Sequence, residues 1–98
     1  MSWYALTYDE VKRMKQGAKS EGFAPLAGCN DRAWVRYEDG TFYLRSYNTI
    51  VASITPDGVL HRHWWGWSAT TAKHVRIFCG WHNIAHPNKA EWERMEVE

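Results

Sequence analysis

The stretch RAWVRYEDGTFYLRSY, residues 32–47, decides the fold. Two runs rich in aromatic and β-branched residues flank Asp39-Gly40, the dipeptide type that best supplies the two positive φ angles of a tight hairpin turn. Placing the turn there pairs Glu38 with Thr41, Tyr37 with Phe42, Arg36 with Tyr43, Val35 with Leu44 and Trp34 with Arg45. Side chains alternate across a strand, so this hairpin has two unlike faces. Val35, Tyr37, Phe42 and Leu44 belong against a core, while Trp34, Arg36, Tyr43 and Arg45 point the other way.

Working outward, Tyr47-Asn48 is expected to reverse the chain, asparagine being the residue that tolerates a left-handed conformation. TIVASI, residues 49–54, then alternates as a third strand, and TPDG, residues 55–58, is a turn with proline and glycine where each is favoured. VLHRHWW, residues 59–65, is the fourth strand. With Leu60 and Trp64 toward the core, His61, His63 and Trp65 join the outer face and Arg62 must snorkel from the inner one.

After Gly66 the apolar spacing becomes helical. Ser68 is a favourable N-cap for a helix of about 69–81, with Ala72, Val75, Phe78 and Cys79 along one stripe. Pro87 stops what precedes it, and residues 87–98 read as a short acidic helix around Trp92 or a tail. Upstream, Thr7 and Glu10 have capping-box spacing, and Tyr8, Val11, Met14 and Ala18 share one face of a helix over about 8–20. The intervening EGFAPLAGCND, residues 21–31, holds two glycines and a proline and reads as a loop. The expected fold is a single α+β domain: a four-stranded antiparallel meander over about 32–65, with both helices on one sheet face.

Ninety-eight residues suffice for one core, so a second domain is not expected. A chain 45% hydrophobic and 23% charged is of the globular class, and its seven tryptophans are more than a small core needs. Some of them are expected at the surface. No apolar run has the length of a membrane span, and MSWYALTYDE lacks the basic start and apolar centre of a signal peptide, so a cytoplasmic location with no membrane partner is expected. Cys29 and Cys79 are too few for a disulfide framework and read as free thiols. The net charge of +1 conceals a division: from Gly40 to Ala90, Arg45, Arg62, Lys73, Arg76 and Lys89 face Asp57 alone, and every histidine lies there, whereas the last eight residues carry four glutamates against Arg94.

The outer face of Trp34, Arg36, Tyr43, Arg45, His61, His63 and Trp65 interleaves flat rings with guanidinium groups. Such a surface suits a protein partner with acidic groups, because arginine and aromatics make the strongest interface anchors. It also suits nucleic acid, whose bases stack on rings and whose phosphates pair with arginine. A third reading is a homodimer interface, and a fourth is that these side chains simply cover a half-exposed sheet through cross-strand contacts.

Two further clusters call for comparison with ordinary structural roles. His61-x-His63 and Cys79-x-x-His82-x-x-x-His86 have ligand types at zinc-like spacing. Histidines that pack or hydrogen-bond are commoner, so neither a metal nor a cofactor is expected. Cys79 falls on the apolar helix stripe, and no phosphate loop, nucleophile elbow or carboxylate pair is present, so no catalytic residue is assigned and no enzyme is expected. Thr70 and Thr71 each stand within one helical turn of His74 and are read as a structural polar cluster that fixes the helix start against the sheet.

The segment Ser46-Tyr47-Asn48-Thr49, with Ser68, Thr70, Thr71 and His74 in a Ser-x-Thr-Thr-x-x-His helix and the following Val75 and Phe78, resembles a group of small uncharacterised phage- and plasmid-borne proteins. The resemblance spans about residues 41 to 79. It implies a mobile-element origin, in which a small domain binds and blocks a host protein or ribonucleoprotein complex, as anti-CRISPR proteins block a defence nuclease. The alternative is a small nucleic-acid-binding module using the same sheet face.

Overall fold

The hairpin turn forms as its residues dictate: Asp39 and Gly40 adopt φ of 51° and 86°. In this computed structural model, which describes residues 23–26 and 32–98, the two strands it joins are β2 (Ala33–Glu38) and β3 (Thr41–Ser46). Their register is the one set by the turn, from Glu38 opposite Thr41 to Trp34 opposite Arg45, with Ala33 opposite Ser46 beyond. Gly40 has a second constraint, because a Cβ there would stand 2.8 Å from Pro56 Cγ in the next turn but one.

β4 (Thr49–Ile54) and β5 (Leu60–Arg62) continue the antiparallel order, and β1 (Phe23–Pro25) lies outside β2. The sheet thus has five strands, and the expectation of four is corrected. β1 falls in the segment read as a loop: Ala24 pairs with Val35 and Pro25 with Trp34, and Leu26 N–H extends the pairing to Ala33 O at 3.0 Å. Proline is tolerated here because β1 is the edge strand among the described residues, and its missing N–H points away from β2. Ala24 and Leu26 anchor the segment by burial.

Two local expectations are refined. The left-handed residue of the β3–β4 turn is Tyr47, at φ 54°, rather than Asn48; its N–H donates to Arg32 O at 2.7 Å, and the Arg32 guanidinium lies 5.8 Å from its ring. The fourth predicted strand is only three residues long, ending at Arg62. A bulge between Leu44 and Arg45 makes Val51 the extra residue of β4, so that Ala52 faces Leu44 on the core side while Ile50 lies opposite Arg45 on the outer one.

α1 (Ala69–Trp81) and α2 (Lys89–Arg94) complete the described fold. Ser68 caps α1 by accepting the Thr71 N–H at 3.1 Å. Asn88 and Glu91 make a reciprocal capping box at the start of α2. Val75, Phe78 and Cys79 bury as expected, with Ile77 and Trp81 widening the stripe, against Val35, Leu44, Ala52 and Ile54 of the sheet. Both helices meet the same sheet face: His74 of α1 reaches Ser46, and Arg62 reaches Trp92 of α2. The helix expected over 8–20, its Thr7–Glu10 capping box and Cys29 lie outside the described residues.

Arg62 is the organiser that the sequence conceals. It points inward opposite Ala52 and is 5% exposed, yet no carboxylate meets it among the described residues. Its guanidinium instead donates to four carbonyls: Trp64 O at 2.7 Å, Trp65 O, Trp92 O at 2.9 Å and Met95 O at 3.1 Å. The last two belong to the C-terminal end of α2, where the aligned peptide dipoles favour a cation. The charge also sits 5.3 Å from the Trp92 ring centroid. Arginine's fork of donors is what makes burial without an anion tolerable.

Candidate recognition surface

Strand register brings Trp34, Arg36, Tyr43, Arg45 and His61 onto the sheet face opposite the helices. Cross-strand pairs knit them together. The Arg45 guanidinium lies 4.5 Å from the centroid of the Trp34 ring, and that of Arg36 lies 5.7 Å from Tyr43. Arg36 also pairs with Glu38 on its own strand.

The ladder continues past the end of β5. His63 N–H donates to Val51 O at 2.9 Å, and its ring stands 6.0 Å from Tyr43. Its Nδ1 lies 3.3 Å from the Glu98 carbonyl oxygen and its Nε2 2.8 Å from Ser53 Oγ. A neutral ring satisfies both by donating from Nδ1 and accepting the serine hydroxyl at Nε2. His61 Nδ1 donates to Glu98 Oε2 at 2.5 Å.

Glu98 is a participant that sequence reasoning did not single out. Its N–H donates to Arg62 O at 2.8 Å, and Val97 forms a parallel bridge with Arg62, so the acidic end lies along the β5 edge. Opposite charge in the tail and in the histidine-bearing strand is the signal that points to this pairing.

Trp65 lies apart from the ladder. Because β5 ends at Arg62, it stands in the loop leading to α1 and is 78% exposed. The loop beneath it is pinned at three consecutive residues. Arg62 holds the Trp64 and Trp65 carbonyls, Gly66 O accepts the Trp92 indole N–H at 2.8 Å, and the Gly66 Cα abuts the Trp64 ring so closely that a Cβ would come within 2.5 Å of it. An exposed indole on a fixed backbone loses little entropy when a partner covers it.

The polar cluster at the start of α1 is built around Ser46. Ser46 Oγ lies 2.8 Å from His74 Nδ1 and 3.1 Å from Thr71 Oγ1, joining Thr71 and His74 through the strand, whereas Thr70 faces solvent. All three linked residues are buried. Cys79 is fully buried, and burial pushes its thiol up to about 12. A thiol so held is no nucleophile near neutral pH. Of the other zinc-like positions, the His82 ring packs against Phe42 and Phe78 and His86 is exposed. Among the described residues no three His, Cys, Asp or Glu side chains converge as a metal site, and no helix is long and apolar enough to cross a membrane.

No curated protein and no solved structure matches the chain. Residues 12–94, from before β1 to the end of α2, match the model described as a family of unknown function (DUF8033), and the chain belongs to that family.

Proposed function

We propose that this protein is a non-enzymatic recognition module of the cytoplasm that binds a partner protein through Trp65 and through the aromatic and basic sheet face. The observation that carries the reading is the 78% exposure of Trp65 on a loop clamped by Arg62 and Trp92. Burying such an anchor contributes about 2 kcal/mol or more at the best interface positions. A mobile-element origin, and a host complex such as a defence nuclease as the target, follow from the resemblance of residues 41 to 79 alone.

The sheet face favours protein over nucleic acid. Its arginines already have partners: Arg45 stacks on Trp34 and Arg36 meets Tyr43 and Glu38, while His61 hydrogen-bonds Glu98. Two carboxylates on a face would repel phosphate, while a protein surface can exchange pairs with them.

The test is affinity capture from host cells with three proteins of equal melting temperature: wild type, Trp65→Ala, and the Trp34→Ala/Arg45→Glu double variant. A partner retained by wild type, weakened by the first and lost by the second supports the reading. A partner held equally by all three rejects it.

A further inference from the structure

A cavity of about 260 Å³ opens between the start of α1 and the start of α2, unrelated to the sheet face. Its walls include Trp67, Ala72, Lys73, Arg76, His86 and Lys89, and none of the described residues that line it is acidic. Both helices pack on the inner sheet face, so this cavity and the Trp34–Arg45 ladder lie on opposite sides of the sheet.

Lys73, Arg76 and Lys89 come from two helices, are exposed, and meet no carboxylate among the described residues. Glu91, the nearest acid in sequence, is occupied in capping Asn88. Three permanent cations around one concavity repel one another, and an anion placed among them relieves that repulsion. The Trp67 ring adds a flat apolar wall whose position is fixed, because it packs 6.2 Å from the buried Trp92 ring.

We infer that this cavity binds the phosphate of a nucleotide, free or within a single strand, with the base against Trp67 and the phosphate among Lys73, Arg76 and Lys89. The volume, just below the usual range for ligand pockets, suits one nucleotide unit at most and not a duplex. Stacking and phosphate pairing together are the usual means of holding a single-stranded nucleotide without reading its sequence.

The experiment is calorimetric titration of the full chain with a nucleoside monophosphate, a single-stranded oligonucleotide, inorganic phosphate and an oligoglutamate peptide, with amide shifts mapped by NMR. The expected result is saturable binding of the nucleotide or the strand, with shifts centred on residues 67–76 and 86–89. Tighter binding of the strand identifies it as the source, and equal or tighter binding of the monophosphate identifies the free nucleotide. Lys73→Glu/Arg76→Glu changes two exposed side chains and should lower affinity at least about tenfold, while reducing the logarithmic slope of affinity against salt by roughly 0.7 for each phosphate pairing removed. Trp67→Leu should weaken the nucleotide more than inorganic phosphate. Equal binding of oligoglutamate, shifts elsewhere, no binding, or affinity unchanged in the double variant would each overturn the assignment.

Discussion

Two buried residues of α1 illustrate how a reactive side chain type becomes structural. His74, 2% exposed, spends its Nδ1 on Ser46, which also meets Thr71, so the imidazole welds α1 to β3. His74→Ala removes a packed ring and one hydrogen bond and should cost about 2–4 kcal/mol by thermal unfolding, without altering partner binding at a temperature where the variant is folded. An unchanged melting temperature with lost binding would make His74 part of the surface instead. Cys79 gives a pH signature. Its thiol ionises near its ordinary value in the unfolded chain and only at about 12 when folded, so between these values the unfolded state binds fewer protons. Stability is therefore full below about pH 8.5 and falls by about 1.4 kcal/mol per pH unit above it. Comparing urea unfolding of wild type and Cys79→Ala between pH 8 and 11 should show this slope in the wild type and a flatter one in the variant. Parallel slopes would mean that the thiol titrates freely.

At the scale of elements, Arg62 is the joint between β5, the Trp65 loop and α2. Arg62→Met keeps the stem but takes a donor from four carbonyls, of which Trp92 O retains the Met95 N–H, and should cost about 3 kcal/mol or more, lowering the melting temperature by roughly 12 °C or more. Arg62→Lys, lacking the planar fork, should recover only part of the loss. If Arg62→Met unfolds at the wild-type temperature, the carbonyls have other donors and the loop is not pinned as described. Gly40→Ala tests the hairpin: a positive φ and the 2.8 Å approach to Pro56 both oppose a side chain, so a loss of about 1–2 kcal/mol is expected. These two residues also mark what the sequence could reveal. The β2–β3 register was legible because an Asp-Gly turn and two-residue alternation are local signals that agree, and the same holds for Ser68 and α1. Placing Trp34, Arg36, Tyr43 and Arg45 on one face followed from that register, and His61 joined them from the alternation of Leu60 and Trp64 in the fourth strand. β1 was not legible, since three residues containing Pro25 carry no strand pattern and only pairing with β2 makes them one. Arg62 and Glu98 were opaque for the same reason: the acceptors of Arg62 include residues 92 and 95, and Glu98 meets a strand 37 positions earlier.

For the whole molecule, the sheet separates two surfaces with different electrostatics. On one side the arginines are partnered within the protein, Arg36 with Glu38 and Arg45 with the Trp34 ring. On the other, Lys73, Arg76 and Lys89 surround a cavity that no acid among the described residues lines. Paired charges and apolar burial respond weakly to screening, whereas release of counterions from a strand makes affinity fall steeply with salt. Raising monovalent salt from about 50 to 200 mM should therefore weaken a protein partner held by Trp65 less than about threefold, yet weaken an oligonucleotide held by three cations by roughly tenfold or more. A partner seated on the Trp34–Arg45 ladder and an oligonucleotide in the cavity should also bind together, since those two sites lie on opposite sides of the sheet. Adding a saturating oligonucleotide to the partner complex should yield a ternary species in sedimentation, with each affinity within about twofold of its value alone. Mutual displacement, with equally steep salt dependence for both, would place both ligands on one face and would remove the separation of roles argued from the paired and unpaired cations.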